Sequence, residues 1–151
     1  MMSSPLIFRC PHCGAMNRMT VLIPERLAVC GKCKADLDIT GAAAHVDLAA
    51  LERAIASSPA PVLVDFWAPW CGPCLAFAPV LERFAHEQAG RFVVLKLDTD
   101  ASPAAGGRFG IRAVPTLAVF RDGKEMDRVS GALSLEEVRR FAAAATVGVA
   151  S

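Results

Sequence analysis

The chain has 151 residues, enough for one domain of ordinary size or for one domain with an appendage too short to form its own core. Its composition, 54% hydrophobic and 21% charged, is that of a globular protein. The formal net charge of +1 provides no general attraction to nucleic acid or to an anionic membrane, so we expect neither kind of partner.

The amino terminus lacks the basic start and apolar run of a secretory signal, and no segment is apolar enough to span a bilayer. These features predict a soluble protein of the cytoplasm, where cysteines are kept reduced. The six cysteines form three CxxC pairs. In a reducing compartment such pairs bind metal or exchange electrons, so three structural disulfides are not expected.

Two CxxC pairs lie sixteen residues apart in the amino-terminal part of the chain: Cys10-Pro11-His12-Cys13 and Cys30-Gly31-Lys32-Cys33. Two tight turns, each eased by a glycine, can bring the four thiolates to one zinc ion. Two disulfides or four free thiols are the alternative. However, about forty residues cannot be stabilised by burial alone, and metal binding would supply the missing free energy. With four cysteines closing the site, His12 is predicted to be a solvated turn residue.

Residues 1–40 are therefore predicted to form a small zinc module, with a strand over residues 20–23 between the two cysteine pairs. A closed four-cysteine site is structural, because no coordination position is left for water or substrate. Zinc ribbons often bind nucleic acid. Here acidic residues dilute the basic ones and no aromatic residues are interleaved with them, so we do not expect that use.

Residues 41–151 are predicted to form a second domain in which strands and helices alternate. The predicted elements are a joint or weak strand at 41–44, a helix over 48–55, a buried strand over 62–67, a helix over 71–90, a buried strand over 92–97, a weak helix over 102–108, two strands over 115–120 and 125–129, and a helix from 134 to about 144. Asp122-Gly123 is a strong hairpin signal between the last two strands. This order indicates an α/β fold with a mixed sheet.

The third CxxC pair, Cys71-Gly72-Pro73-Cys74, lies where a buried strand gives way to a helix. Unpaired backbone N–H groups and the positive end of the helix dipole favour the thiolate of Cys71. Cys74 is expected to be buried on the same face, so that Cys71 is exposed for attack and Cys74 waits within reach to displace it. Metal binding here would need two further ligands, and the other cysteines are already committed. The pair therefore predicts thiol–disulfide exchange.

Asp65 interrupts the otherwise apolar strand that precedes this pair. Its carboxylate is predicted to be buried, where desolvation favours the protonated form and suits a proton acceptor. A buried ion pair kept for structure is the alternative.

Several features of the second domain carry a resemblance to a known family: Trp70-Cys71-Gly72-Pro73-Cys74, Asp65 six residues before Cys71, Lys96, the step Val114-Pro115-Thr116, and Gly131-Ala132. Through these features, residues 44–145 resemble the thioredoxins. The four-cysteine module in front makes the whole chain similar to the zinc-binding thioredoxins of the thioredoxin-2 kind. The resemblance implies a thioredoxin fold, a central mixed sheet flanked by helices, preceded by a small zinc ribbon. It also implies one zinc ion as cofactor and no bound organic cofactor.

The resemblance implies roles for these residues. Cys71 would attack a target disulfide and Cys74 would resolve the mixed disulfide. Asp65 would help to deprotonate Cys74, with Lys96 on the neighbouring strand as its electrostatic partner. Pro115 would follow a cis peptide bond that faces the CxxC pair. Targets would dock around Cys71, where the Val114 backbone can pair with an extended segment. The docking residues implied are Trp70, Gly72, Pro73, Val114 and Gly131.

The implied activity is that of a protein-disulfide reductase, which passes electrons from NADPH through a thioredoxin reductase to oxidised target proteins. An oxidant or isomerase with the same fold is one alternative, disfavoured by the absent signal sequence and by the Gly-Pro between the cysteines. A sensor or adaptor, in which oxidation of the four amino-terminal cysteines ejects zinc, is another.

Leu75 departs from the Lys or Arg that many thioredoxins carry at this position. His45 and His86 are predicted to be surface residues without partners.

Overall fold

The computed structural model describes residues 5–20 and 28–147. Its strands are β1 (Leu6–Arg9), β2 (Met16–Met19), β3 (Ala44–His45), β4 (Val62–Trp67), β5 (Val93–Asp98), β6 (Thr116–Arg121) and β7 (Lys124–Ser130). Its helices are α1 (Leu48–Ser57), α2 (Gly72–Glu87), α3 (Pro103–Phe109) and α4 (Leu135–Val147). The strand predicted over residues 20–23 lies, apart from its first residue, outside the described ranges. None of the helices within those ranges has the length and apolar character needed to cross a membrane.

A five-stranded mixed sheet in the order β3-β5-β4-β6-β7 forms the centre of the structure. Strands β3, β4 and β5 run parallel to one another, and β6 is antiparallel to both β4 and β7. The predicted α/β fold with a mixed sheet is confirmed. The parallel strands are joined by helices, whereas β6 and β7 are joined by the predicted tight hairpin.

Two helical layers cover the sheet, and the alternation of side chains along β4 divides the core between them. Val62, Val64 and Phe66 pack with α1 and α3, whereas Leu63 packs with α2 and α4. Because successive side chains of a strand point to opposite faces, Asp65 shares the face of Leu63 and points toward the α2 layer. The carboxylate and the CxxC helix therefore lie on the same side of the sheet.

The helices and strands predicted for residues 48–144 are confirmed, with bounds that differ by at most three residues. The hairpin turn has Asp122 at φ 53° and Gly123 at φ 80°, the conformation that an Asp-Gly pair favours. Ser134 caps α4: its hydroxyl accepts the N–H of Glu137 at 3.1 Å, and the Glu137 carboxylate accepts the N–H of Ser134 at 2.9 Å. The weak segment at 41–44 contributes only the start of the two-residue strand β3.

The amino-terminal hairpin of β1 and β2 packs directly on the larger domain. Ile7 belongs to the same buried cluster as Val62 and Leu95, and its N–H donates to the Gly90 carbonyl at 2.8 Å. Gly90 has φ +81°, and a Cβ there would lie 2.8 Å from the side chain of Leu6. The close approach of β1 therefore requires a glycine at this position.

His86 ties the connection between the two parts to α2, which corrects its prediction as a residue without partners. Its Nδ1 lies 2.8 Å from the Thr40 carbonyl oxygen, and its Nε2 lies 3.3 Å from the Glu82 carboxylate. The same carboxylate accepts the N–H of Ala43 at 3.3 Å. Nothing in the spacing of the sequence pairs these residues, because Thr40 and His86 are 46 positions apart.

Gly41 is the tightest point of this connection, and we expect Gly41→Ala to destabilise the fold. Gly41 has φ +82°, and a Cβ there would lie 2.6 Å from the Ala85 carbonyl oxygen. The substitution should lower the free energy of unfolding in urea by roughly 2 kcal/mol or more. Gly107→Ala is the control, because a Cβ at Gly107 would meet nothing within 4 Å. That change in α3 should be neutral or stabilise by up to about 1 kcal/mol. Equal unfolding curves for the two variants would contradict this packing.

Candidate active site and metal centre

Cys71 and Cys74 form a disulfide at the start of α2, where β4 ends. Cys71 is the N-cap of the helix, and its Sγ accepts the N–H of Cys74 at 3.1 Å. This hydrogen bond and the helix dipole both favour negative charge on the Cys71 sulfur. Cys74 is buried as predicted, but the expectation of an exposed Cys71 is wrong for this disulfide form, in which Cys71 is only 4% exposed.

The Cys71 sulfur is covered because the segment before β6 lies against it. Its Sγ is 3.7 Å from the Val114 carbonyl oxygen, and the peptide bond between Val114 and Pro115 is cis. The N–H of Gly131 donates to the Pro115 carbonyl at 2.8 Å, and Gly131 has φ +102°. Val114 therefore lies beside the CxxC pair, Pro115 follows it through the cis bond, and Gly131 is hydrogen-bonded to Pro115.

Trp70 is the most exposed aromatic side chain of the site. It is 71% exposed, and its indole N–H donates to the Asp100 carboxylate at 3.3 Å. Gly72 and Pro73 are exposed beside it. Trp70 and Val114 also line a groove of about 170 Å³, whose other lining residues are Thr99, Gly106, Ile111, Arg112 and Ala113. Asp100 and Arg112 were not predicted as site residues, because they follow the ends of other elements and no local sequence pattern marks them.

Asp65 is 1% exposed, and within the described ranges neither of its carboxylate oxygens has a hydrogen-bond partner. Desolvation raises the pKa of Asp65 to about 6, and the positive charge of Lys96 opposes that rise. The predicted burial of this carboxylate is confirmed. A group with this pKa can take up a proton near neutral pH, as an acid–base group must.

Lys96 lies in register with Asp65 on β5, but its ammonium group is directed at an aromatic ring. The Nζ atom is 5.0 Å from the centre of the Trp67 ring. On the other neighbouring strand, His45 is in register with Lys96, and its ring centre is 5.8 Å from that of Trp67. Lys96 thus acts on Asp65 through space while it packs on Trp67. His45, predicted to have no partner, is part of this row of side chains.

The four amino-terminal cysteines converge on one point. All four sulfur atoms lie within 4.8 Å of one another, with Cys10 and Cys33 3.7 Å apart and Cys13 and Cys30 3.6 Å apart. Zinc–sulfur bonds of about 2.3 Å in a tetrahedron place the sulfurs roughly 3.8 Å apart. The donor set therefore fits zinc. Only these four cysteines form such a group in the described part of the chain, and His12 is not among them.

Both cysteine turns have the same backbone hydrogen bonds. Gly14 donates to the Cys10 carbonyl at 2.9 Å, and Lys34 donates to the Cys30 carbonyl at 3.0 Å. The expectation that a glycine eases each turn is only half right. Gly14 has φ 78°, but in the second turn it is Lys34, at φ 67°, that adopts the left-handed conformation.

Asn17, which no sequence pattern marks as a site residue, joins the two turns. Its side-chain carbonyl accepts the N–H of Gly31 at 2.9 Å, and its amide lies 3.6 Å from the sulfur of Cys30. Hydrogen bonds to the sulfur lower the pKa of the Cys30 thiol to about 6. The backbone of Cys33 has the largest effect, and the Asn17 side chain has a smaller one. A thiolate is the form that binds a metal ion.

Comparison with known proteins agrees with this geometry. The family model for thioredoxin matches residues 42–144. The chain belongs to the thioredoxin family. It is 45% identical over 92 residues to thioredoxin 1 of Nostoc sp., covering 61% of this chain and 86% of that protein. It is 38% identical over 141 residues to the chloroplastic thioredoxin M4 of Arabidopsis thaliana, and the match covers 91% of this chain and 70% of that protein.

A third relative is thioredoxin of Haemophilus influenzae, which is 39% identical over 97 residues, 64% of this chain and 91% of that protein. Membership of the thioredoxin family and the redox-active pair at the start of α2 make the chain a disulfide oxidoreductase. The thioredoxin fold implied by the sequence is confirmed, and the clustered cysteines are consistent with a zinc ribbon in front of it.

We expect Asp65→Asn to stabilise the oxidised protein in a pH-dependent way. The pKa of Asp65 rises from 3.8 to about 6 on folding, so the folded state binds the proton more tightly than the unfolded state. With native Asp65, the free energy of unfolding is therefore highest at low pH and falls as the pH rises through the range 4 to 6. Above this range the ionised carboxylate lowers the free energy of unfolding by about 3 kcal/mol.

Urea unfolding of both proteins between pH 4 and pH 8 measures this difference. The Asn variant should be more stable at pH 7, and its advantage should shrink toward pH 4. Asp122→Asn is the control, because Asp122 is exposed in a turn that also suits Asn. An Asp65→Asn advantage that does not change with pH would show that titration of the carboxylate is not its origin.

Proposed function

We propose that this protein is a zinc-binding thioredoxin that reduces disulfide bonds in oxidised target proteins. The observation that carries the proposal is the placement of the Cys71–Cys74 pair at the start of α2, between the Val114 carbonyl and the layer onto which Asp65 points. This arrangement combines a nucleophile, a resolving thiol and an acid–base group.

In the reduced protein, the Cys71 thiolate attacks one sulfur of the target disulfide. A Cys71–target disulfide forms, the target disulfide breaks, and the second target sulfur leaves as a thiolate. In the disulfide form, the N–H of Cys74 donates to the Cys71 sulfur at 3.1 Å. In the reduced protein the same N–H would stabilise the attacking thiolate. Only Cys71 caps the helix, which supports its role as the nucleophile.

In the second step, Cys74 resolves the mixed disulfide. Its thiol loses a proton, for which Asp65 is the proposed acceptor, and the Cys74 thiolate attacks the Cys71 sulfur. The Cys71–Cys74 disulfide forms and the first target sulfur leaves as a thiolate. The target gains two electrons and the protein loses two. Lys96 is proposed to favour the ionised, proton-accepting form of Asp65 at neutral pH, since its charge opposes the rise in the Asp65 pKa.

Target recognition is proposed to use the surface around the pair. Trp70, Gly72 and Pro73 are exposed next to Cys71, and Trp70 shares a groove with Val114, whose carbonyl oxygen lies 3.7 Å from the Cys71 sulfur. Gly131 donates to the carbonyl of the neighbouring Pro115. An extended target segment would pair with the backbone at Val114, so that main-chain hydrogen bonds supply most of the recognition. Such recognition depends little on the target sequence and suits many different targets.

The electrons are proposed to come from NADPH through a thioredoxin reductase. A cytoplasmic location, which the sequence predicts, agrees with this direction of flow. The absence of nucleic-acid and membrane partners likewise stays a prediction. The exposed Leu75 in the first turn of α2 supplies no positive charge near Cys71.

We propose that residues 1–40 hold one structural zinc ion and that residues 41–151 form the catalytic domain. Cys10, Cys13, Cys30 and Cys33 would supply all four ligands, which supports a structural role because no position is left for substrate. The two cysteine turns pack on Phe8 and Leu37, and β1 packs on the larger domain through Ile7. Zinc would therefore stabilise the surface onto which the catalytic domain docks.

The central test is insulin reduction coupled to thioredoxin reductase and NADPH. Wild type should turn over, while Cys71→Ser and Cys74→Ser should both fall to the uncatalysed background. Cys74→Ser should accumulate a mixed disulfide with the target, because it can attack but cannot resolve. Zinc content measured on the same samples should stay at one ion per chain. Accumulation of the mixed disulfide by Cys71→Ser instead would reverse the proposed roles.

A double variant of Cys13→Ser and Cys30→Ser tests the metal site. It should lose zinc and unfold at a lower temperature, yet keep its insulin turnover, because the CxxC pair lies in the other domain. His12→Ala is the matched control, since His12 adjoins a ligand but is outside the cluster, and it should retain its zinc. Loss of turnover together with zinc would contradict the structural role and favour a sensor. Zinc release that peroxide produces before the Cys71–Cys74 pair is oxidised would also favour a sensor.

A further inference from the structure

A cavity of about 390 Å³ lies at the seam between the amino-terminal hairpin and the larger domain. One side is formed by Leu6, Ile7 and the neighbouring Arg18 of the hairpin. The other side is formed by residues 59–61 before β4, by Gly90 and Arg91 after α2, and by Arg121 at the end of β6. Its volume is within the usual range for a small-molecule site.

Among the residues that the structure describes, three arginines and no carboxylate line this cavity. Elsewhere in the structure Arg108, Arg128 and Arg139 each contact a glutamate. By contrast, Arg18, Arg91 and Arg121 form no ion pair with any carboxylate in residues 5–20 and 28–147. Three like charges that share one cavity repel one another, and an anion placed among them would remove that repulsion.

The rest of the wall is apolar and stiff. Pro59 and Pro61 flank the buried Ala60, and Leu6 covers the opposite side. Proline rings restrict the backbone, so this part of the wall keeps its shape without a ligand. Such a surface offers contact area for the organic part of a ligand, next to the charged part.

We propose that this cavity is a binding site for a small phosphate-bearing anion. Guanidinium groups present parallel N–H donors that match phosphate oxygens in a bidentate way. Three of them suit two or more linked phosphate groups better than a single one, because each phosphate can accept from a different arginine. The apolar wall would take a ring or sugar attached to the phosphates.

The position of the cavity separates it from the redox chemistry. Residues 59–61 precede β4 and Arg121 ends β6, whereas the CxxC pair follows the far end of β4. Six strand residues at about 3.3 Å each place the two sites roughly 20 Å apart. The ligand would instead bridge the two parts of the molecule, because Arg18 belongs to the hairpin while Arg91 and Arg121 belong to the larger domain.

The test is calorimetric titration of the full-length, zinc-loaded, oxidised protein at low salt with inorganic phosphate, pyrophosphate and ATP. We expect one saturable site for pyrophosphate and ATP, and weaker binding of inorganic phosphate. Arg18→Gln and Arg91→Gln should each weaken pyrophosphate binding by about tenfold, because each removes one charge-assisted contact. Both side chains are exposed, so neither change should alter folding.

Arg83→Gln is the matched control, because Arg83 is an exposed arginine on α2 outside the cavity. It should leave the affinity unchanged. Tighter binding of ATP than of pyrophosphate would show that the apolar wall contributes, and equal binding would assign the affinity to the phosphates; both results support the site. No saturable binding, or equal weakening by all three substitutions, would overturn it. Insulin reduction by the Arg91→Gln variant should match wild type, so failure here leaves the reductase proposal intact.

Discussion

The junction of β4 with α2 is the constraint on which the rest of the structure depends. A buried parallel strand must end at a helix whose first N–H groups have no partners within the helix, and here the sulfur of Cys71 accepts one of them. The same strand carries Asp65 into the α2 layer, because its side-chain alternation leaves no other direction. One connection therefore sets the positions of Cys71, Cys74 and the Asp65 carboxylate.

The remaining parts of the site are brought to this junction by the sheet. Antiparallel pairing of β6 with β4 places the start of β6, and with it Val114 and Pro115, beside the end of β4. Parallel pairing of β5 with β4 places Lys96 next to Asp65, and β3 adds His45 to the same row. The amino-terminal hairpin packs at Gly90, beyond the other end of α2.

The sequence allowed prediction of the elements and of the cysteines, because both depend on local patterns. The alternation of apolar residues defines β4 and α2, and CxxC spacing groups the four amino-terminal thiols into a set that the structure brings within 4.8 Å. Long-range contacts could not be predicted in this way. The bond between His86 and Thr40 and the stacking of His45 and Lys96 on Trp67 depend on how distant segments pack.

The predicted exposure of Cys71 failed for a similar reason. A residue at a helix start is open to solvent unless another segment covers it, and here the segment with Val114 does so. Lys34 in the left-handed conformation was missed because glycine is the usual residue there, and Gly31 is close enough in sequence to be mistaken for it. In both cases the backbone of a neighbouring segment decided the outcome.

Both tryptophans of the chain flank the CxxC pair, and the chain contains no tyrosine. Trp70 is exposed beside an aspartate, whereas Trp67 is half-buried, contacts a lysine and a histidine and packs on the disulfide. The near-ultraviolet absorption and the intrinsic fluorescence therefore originate almost entirely at the redox centre. A change in the intrinsic fluorescence of the unlabelled protein therefore reports on that centre, and the amino-terminal hairpin contributes no tryptophan signal of its own.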